Sequence, residues 1–221
     1  MNTIIIIDRQ FGSGGREIAQ LIAEKRQIPF YDRKLLARTA KESGFTETLV
    51  ESQDEKPQNS IIFGMIADTF MNMPVEQDVF YAQQETIRSI ARESQNGCVI
   101  VGRCADVALR KHTNMLSFFI HAPEPFRMER VRQGKAGEDP AYRKLNDKDL
   151  LDLLKKKDKE RWNFYDNYAQ QRWGQAKNYD LTINSGLLGI EKSAEYILEI
   201  IDSFESAGGA KSWIAEGERR S

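Results

Sequence analysis

The chain has 221 residues, 40% of them hydrophobic and 10% aromatic, with 32 Lys+Arg against 33 Asp+Glu and a formal charge of −1. That apolar share can build a core, which argues against global disorder, and a pI near 6.2 argues against a protein that coats nucleic acid, whose footprint is a basic domain. No apolar run approaches the roughly 20 residues that cross a bilayer, and the opening Met1-Asn2-Thr3 before four isoleucines is too short and uncharged for a secretory signal. Cys98 and Cys104 form no CxxC pair, so neither a disulfide scaffold nor a zinc site is indicated. A single cytoplasmic domain over residues 1–204, with a flexible tail over 205–221, is the expectation.

In chain order, Ile4-Ile5-Ile6-Ile7 opens as a short β-branched run suited to a strand buried on both faces. Ile18, Leu21, Ile22 and Lys25 then fall at helical spacing. Ile28-Pro29-Phe30-Tyr31 reads as a weak strand whose proline favours an edge. Residues 43–75 lack one clean period. Three further strands are predicted: Cys98-Val99-Ile100-Val101, Leu116-Ser117-Phe118-Phe119-Ile120 and Tyr179-Asp180-Leu181-Thr182-Ile183. Pro123 suits the first turn of a helix, residues 133–173 are rich in charge, and Ile190, Ala194, Ile197, Leu198 and Ile201 form a last amphipathic face. Strands alternating with helices imply right-handed crossovers and an open, mostly parallel α/β sheet. Ligands of such sheets bind at the carboxyl ends of the strands.

The most informative segment follows the first strand: Asp8-Arg9-Gln10-Phe11-Gly12-Ser13-Gly14-Gly15-Arg16-Glu17. A glycine loop between a buried strand and a helix start presents successive N–H groups that cradle a phosphate. Against the P-loop pattern GxxxxGK[ST], aligned on Gly14, three residues depart: Arg9 replaces the first glycine, Gly15 the lysine and Arg16 the hydroxyl residue. The lysine that reaches the β- and γ-phosphates and the hydroxyl that meets Mg²⁺ are therefore absent from their usual places. Arg16 and Arg9 are the candidate replacement cations.

These segments resemble the cytidylate kinase-like family of nucleoside monophosphate kinases, in the branch with a degenerate xRxFGSGGREIA loop. The resemblance is carried by residues 8–19, by Ile28-Pro29-Phe30-Tyr31-Asp32-Arg33, by Cys98-Val99-Ile100-Val101-Gly102-Arg103-Cys104-Ala105-Asp106, and by Asn178 to Ser185. It implies a three-layer α/β P-loop kinase fold with a five-stranded parallel sheet, an NMP-binding insertion over about 33–80 and a lid over about 133–173. It also implies ATP and Mg²⁺, with CMP or dCMP as possible acceptors, and no nucleic-acid or membrane partner; oligomeric state stays open. Carried over by position, Gly12, Ser13, Gly14 and Gly15 with Arg9 and Arg16 would bind donor phosphates, and Asp32, Arg38, Arg103 and Asp180 would bind the acceptor. Arg16, Arg103 and Arg161 would act in transfer. Cys104 stands where the family's Gly-Arg-Asp carries its acid, and Asp32, Asp106 and Asp180 are candidates to meet Mg²⁺ through water.

Arginine suits phosphoryl transfer because its planar fork binds phosphate oxygens bidentately and stays charged. Arg127, Arg130 and Arg132 at near-helical spacing read as a solvated face, as does the Lys155–Lys159 run. Trp162, Tyr165 and Tyr168 read as core, and His112 and His121 as structural. Two other functions compete with a kinase. One is a catalytically silent nucleotide- or anion-binding regulator that kept the fold without its lysine. The other, a dinucleotide-dependent oxidoreductase, is disfavoured because the loop does not complete GxGxxG.

Overall fold

The computed structural model describes residues 3–46, 48, 50, 75–135, 139–169 and 171–211. Strands β1 (Ile4–Arg9), β2 (Phe30–Tyr31), β3 (Cys98–Val101), β4 (Met115–His121) and β5 (Leu181–Asn184) form one all-parallel sheet in the order β2-β3-β1-β4-β5. Register runs Ile4 to Cys98 and Ile7 to Val101 on one side of β1, and Ile4 to Met115 through Arg9 to Ile120 on the other. Strand β2, which starts directly after Pro29, lies at an edge, where the expected weak strand was placed.

Four isoleucines in a row are explained by cover on both sides. Ile5 and Ile7 face helices α1 (Gly15–Arg26) and α8 (Ile190–Ser206), joining Ile18, Ile22, Ile197 and Ile201 in one core. Ile4 and Ile6 face the opposite layer, with Leu35 of α2 (Arg33–Ser43), Ile87 and Ile90 of α3 (Val75–Glu93) and Ala105 of α4 (Ala105–Ala108). All four are 0–1% exposed, and burying each such side chain contributes about 1.5–3 kcal/mol.

After β4, α5 (Glu124–Arg132) starts immediately behind Pro123, which sits at its N-cap. A 3₁₀ turn (Pro140–Lys144) leads to the long α6 (Asp147–Ala169), and short α7 (Ser185–Leu188) follows β5. Phe11 of the glycine loop is 2% exposed and packs with Val131, Leu150 and Leu154, so the loop is pinned beneath α5 and α6. The expected NMP-binding insertion is described only through α2 and the start of α3; residues 51–74 lie outside the described residues.

Helix α8 ends at Ser206, and the chain then turns so that the Lys211 amide donates to the Thr113 carbonyl (2.8 Å) and its ammonium to Asp180 Oδ2 (2.6 Å). Lys211 thus ties the end of the described chain to the body; 212–221 lie outside the described residues. No described helix is long and apolar enough to cross a membrane.

Candidate phosphate-binding site at the carboxyl edge

The loop from Gln10 to Gly15 joins the end of β1 to α1. Gly12 and Gly14 adopt left-handed backbone (φ +75° and +83°). At Gly14 the requirement is twofold, since a Cβ there would also lie 2.2 Å from Ile190 Cδ1. Ser13 is fully buried; its hydroxyl donates to the Gln10 carbonyl (2.8 Å), and its own carbonyl accepts from the Ser185 hydroxyl (2.6 Å). The loop is therefore tied to the end of the sheet; the Gly15 amide donates to the Ser13 hydroxyl (3.4 Å), and the Arg16 and Glu17 amides, as at any helix start, have no intrahelical partner.

Beside the loop three guanidinium groups gather around one carboxylate. Asp32, at the end of β2, accepts from Arg16 Nε at 2.6 Å and Arg103 Nη1 at 3.4 Å. Arg9 is 8% exposed and also acts on Asp32 by its charge. Burial by itself would raise Asp32, but the charges of Arg103, Arg16 and Arg9 outweigh it and hold the carboxyl below the usual range. Three cations thus converge on Asp32, while Asp8 lies 4.0 Å from Arg9 as a second counter-charge.

Arg103 owes its position to an unusual turn. Gly102, Arg103 and Cys104 are consecutive left-handed residues (φ +68°, +59° and +53°), and such backbone in a non-glycine residue costs on the order of 1–3 kcal/mol. The turn is held by the Arg103 guanidinium on the Val101 carbonyl (3.0 Å) and by Gln84 Nε2 on the Arg103 carbonyl (3.1 Å). It swings the side chain back across the ends of β3 and β2 to reach Asp32.

Next to this turn lie two buried carboxylates. Asp8 accepts from the Tyr179 hydroxyl (2.9 Å) and Asp106 from the Tyr165 hydroxyl (2.6 Å). Burial, with the neighbouring Asp8 charge, pushes Asp106 up to about 6, although the Tyr165 hydrogen bond opposes the shift. Burial and the carboxylates push both tyrosines up as well.

On the other flank the expectation of a solvated arginine face fails for two of three residues. Arg127 and Arg130 are 4% and 6% exposed. Arg127 bonds the Phe11 carbonyl (3.2 Å) and Asp158 of α6 (2.5 Å), while Arg130 pairs with Glu17 (2.6 Å). The Nε atoms of both lack a partner. They are buried because α5 leaves β4 at the carboxyl edge and lays this face on the loop. Their three-residue spacing directly after a strand was the available signal. Asp158 also accepts from the Phe11 amide (2.7 Å), and Arg161, one turn along α6, donates to the Arg9 carbonyl (3.0 Å) and lies 5.9 Å from the Phe11 ring centre. Lys155, Lys159, Trp162, Arg172 and Trp173 line an adjoining cleft of about 560 Å³ with Gln10 and Arg127. Trp162 is 45% exposed rather than core.

Two expected acceptor residues stand elsewhere. Asp180 precedes β5, so in a parallel sheet it lies toward the amino end; it accepts from the Ser117 amide (2.8 Å) and from Lys211. Arg38 lies partway along α2 and is engaged by Glu42 (2.6 Å) and Glu93 (2.8 Å) near the amino end of β3. Lys211→Met is accordingly expected to lower stability by about 1 kcal/mol while leaving ligand binding at the loop unchanged; urea denaturation and nucleotide titration check both halves.

The fold and this edge define a P-loop kinase-like α/β protein. The profile of the cytidylate kinase-like family matches residues 4–187, and the chain belongs to that family. Among solved structures it is similar to an uncharacterized protein from Eubacterium ventriosum (29% identity, 91% of this chain and 99% of that one, TM-score 0.66). It is also similar to shikimate kinase from Bacteroides thetaiotaomicron (16% identity, 90% and 98% covered, TM-score 0.55). A third is shikimate kinase from Acinetobacter baumannii in complex with shikimate (13% identity, 92% and 94% covered, TM-score 0.50). No curated protein matches the sequence.

Proposed function

We propose that the chain is an ATP-dependent phosphotransferase that moves the γ-phosphoryl group of MgATP to a small acceptor, with CMP and dCMP the first to try on the family likeness. The observation that carries this reading is the convergence of Arg9, Arg16 and Arg103 on Asp32, set directly beside a glycine loop and a helix start. Phosphoryl transfer asks for alignment, charge neutralisation and exclusion of water more than for covalent chemistry. The Gly12–Gly15 loop and the start of α1 would hold the donor phosphates, with the Ser13 and Gly15 amides engaged inside the loop, while Arg103 and Arg16 would turn from Asp32 toward the transferred group. An acceptor oxygen attacks the γ-phosphorus as the bond to the β–γ bridging oxygen breaks, and ADP leaves. Arg127 and Arg161 join the loop to α6, which would cover the donor as it binds.

Mg²⁺ enters as part of the donor. Among the described residues no three His, Cys, Asp or Glu side chains form a metal-holding group; Asp158, on the Phe11 amide, and Asp32, on Arg16, are carboxylates that touch the loop and the start of α1.

The loop's departures, Gly15 for lysine and Arg16 for the hydroxyl residue, favour the alternative of a silent nucleotide-binding regulator. A coupled assay with MgATP across the nucleoside monophosphates, run beside calorimetry, separates the two. Turnover with at least one acceptor is expected. ATP binding without turnover on any acceptor would overturn the kinase reading and leave the regulator.

A further inference from the structure

We propose that the loop's phosphate-binding cation has been transposed: Arg9, where the P-loop pattern has its first glycine, replaces the lysine that the pattern places at Gly15. This rests on the phosphotransferase reading and assigns its missing cation to one side chain.

The observation behind it is steric and reciprocal. Gly15 is the first residue of α1 and is not among the glycines with positive φ, so backbone freedom does not call for glycine there. Space does. A Cβ on Gly15 would lie 2.5 Å from Arg9 Cβ and 3.2 Å from Arg9 Cγ, and the first of those is a distance that packed carbons do not adopt. Any side chain at 15, lysine included, is excluded by the stem of Arg9. Conversely, a glycine at 9 would remove that stem, leaving Ile120 Cβ at 3.2 Å as the one close neighbour that must give by a few tenths of an ångström to admit a lysine at 15. The two departures are one exchange, in which either position can carry the long cationic side chain but not both.

Arg9 is placed to serve. It is the last residue of β1 and 8% exposed, one residue before the loop begins. Its Nη1 lies 4.0 Å from Asp8 Oδ1, and its charge bears on Asp32, so its guanidinium lies at the carboxyl edge, where Arg16 and Arg103 also converge. Arg16 is less suited to the role: its side chain is 52% exposed and extends along Asp32. A buried guanidinium approached by phosphate binds it without competing water and in a planar fork.

The test uses the full chain and isothermal titration with magnesium β,γ-imido-ATP, with thermal melts on every variant. Arg9→Met keeps the stem against Gly15 and removes only the charge; it is expected to melt near the wild type and to bind about 10–100-fold more weakly, as loss of a charge-assisted contact implies. Gly15→Lys alone is expected to fail in binding because its stem meets Arg9. The exchange Arg9→Gly/Gly15→Lys is expected to recover binding to within about threefold of the wild type, far from the sum of the single effects. Wild-type affinity in a folded Arg9→Met variant, or a double variant no better than Gly15→Lys alone, overturns the transposition and spares the phosphotransferase. A wild-type chain that binds no analogue overturns both.

Discussion

Replacing Arg103 with methionine is expected to lower the stability of the fold by about 3 kcal/mol, the lower end for a broken buried ion pair, and to reduce kcat by about 10²–10³-fold, as for loss of one preorganised donor to a transition-state oxygen. The side chain is 2% exposed and its partner Asp32 9%, so removal strands a carboxylate that water cannot reach well. Arg16 keeps its bond to that carboxylate at 2.6 Å, which is why the lower end applies. Methionine fills much of the volume but cannot bond the Val101 carbonyl, so the left-handed turn at 102–104 loses one of its two clasps. Arg103→Lys separates the effects: it restores a charge for Asp32 but not the planar fork, so stability is expected to return further than kcat. Urea denaturation and steady-state kinetics on both variants decide the matter; equal loss in each would show that Arg103 is structural only.

The second large effect belongs to Asp106. Burial pushes its carboxyl up to about 6 from an ordinary value of 3.8, so the folded chain holds that proton more tightly than the unfolded chain. The stability this supplies is complete below about pH 4 and is lost as pH rises through about 6, leaving an ionised, buried group at neutral pH whose penalty is about 3 kcal/mol. Asp106→Asn removes the charge and still accepts from the Tyr165 hydroxyl, which lies 2.6 Å from the carboxylate. It is expected to raise stability at pH 8 by about 2–3 kcal/mol and to flatten the decline between pH 4 and 7. Urea midpoints at pH 5 and pH 8 read this directly. An unchanged pH slope would place the origin of the acid-side behaviour in another group. A gain in stability joined to a loss in turnover would mark Asp106 as a group whose charge the reaction uses, in the manner of sites that hold destabilising charge for function.

Much of the architecture was readable residue by residue. Ile4–Ile7 and Cys98–Val101 suited strands covered on both faces, and the structure buries them so. Pro29 marked an edge and β2 lies at one. Period 3.6 placed the core face of α8 on Ile190, Ala194, Ile197 and Ile201. The glycine loop and the strand-end positions of Asp32 and Arg103 were legible, and the structure brings Arg16, Arg103 and Asp32 together. What was not legible is a partner supplied by a distant element: Arg38 bonds Glu93, Asp180 bonds Lys211, and Arg127, expected on a solvated face, bonds Asp158.

Local order in the chain, through the alternation of apolar runs and the two periods, determined the α/β class, the loop and the edge at which a ligand would meet it, because each depends on neighbours within a few positions. Which arginines converge, which carboxylates are buried, and why position 15 must be glycine were decided only by folding. Those properties depend on distances between residues far apart along the chain, such as Arg16 to Asp32, Arg103 to Asp32 and Tyr179 to Asp8. The same holds for the stem of Arg9 at the end of β1, which reaches the first turn of the helix it precedes.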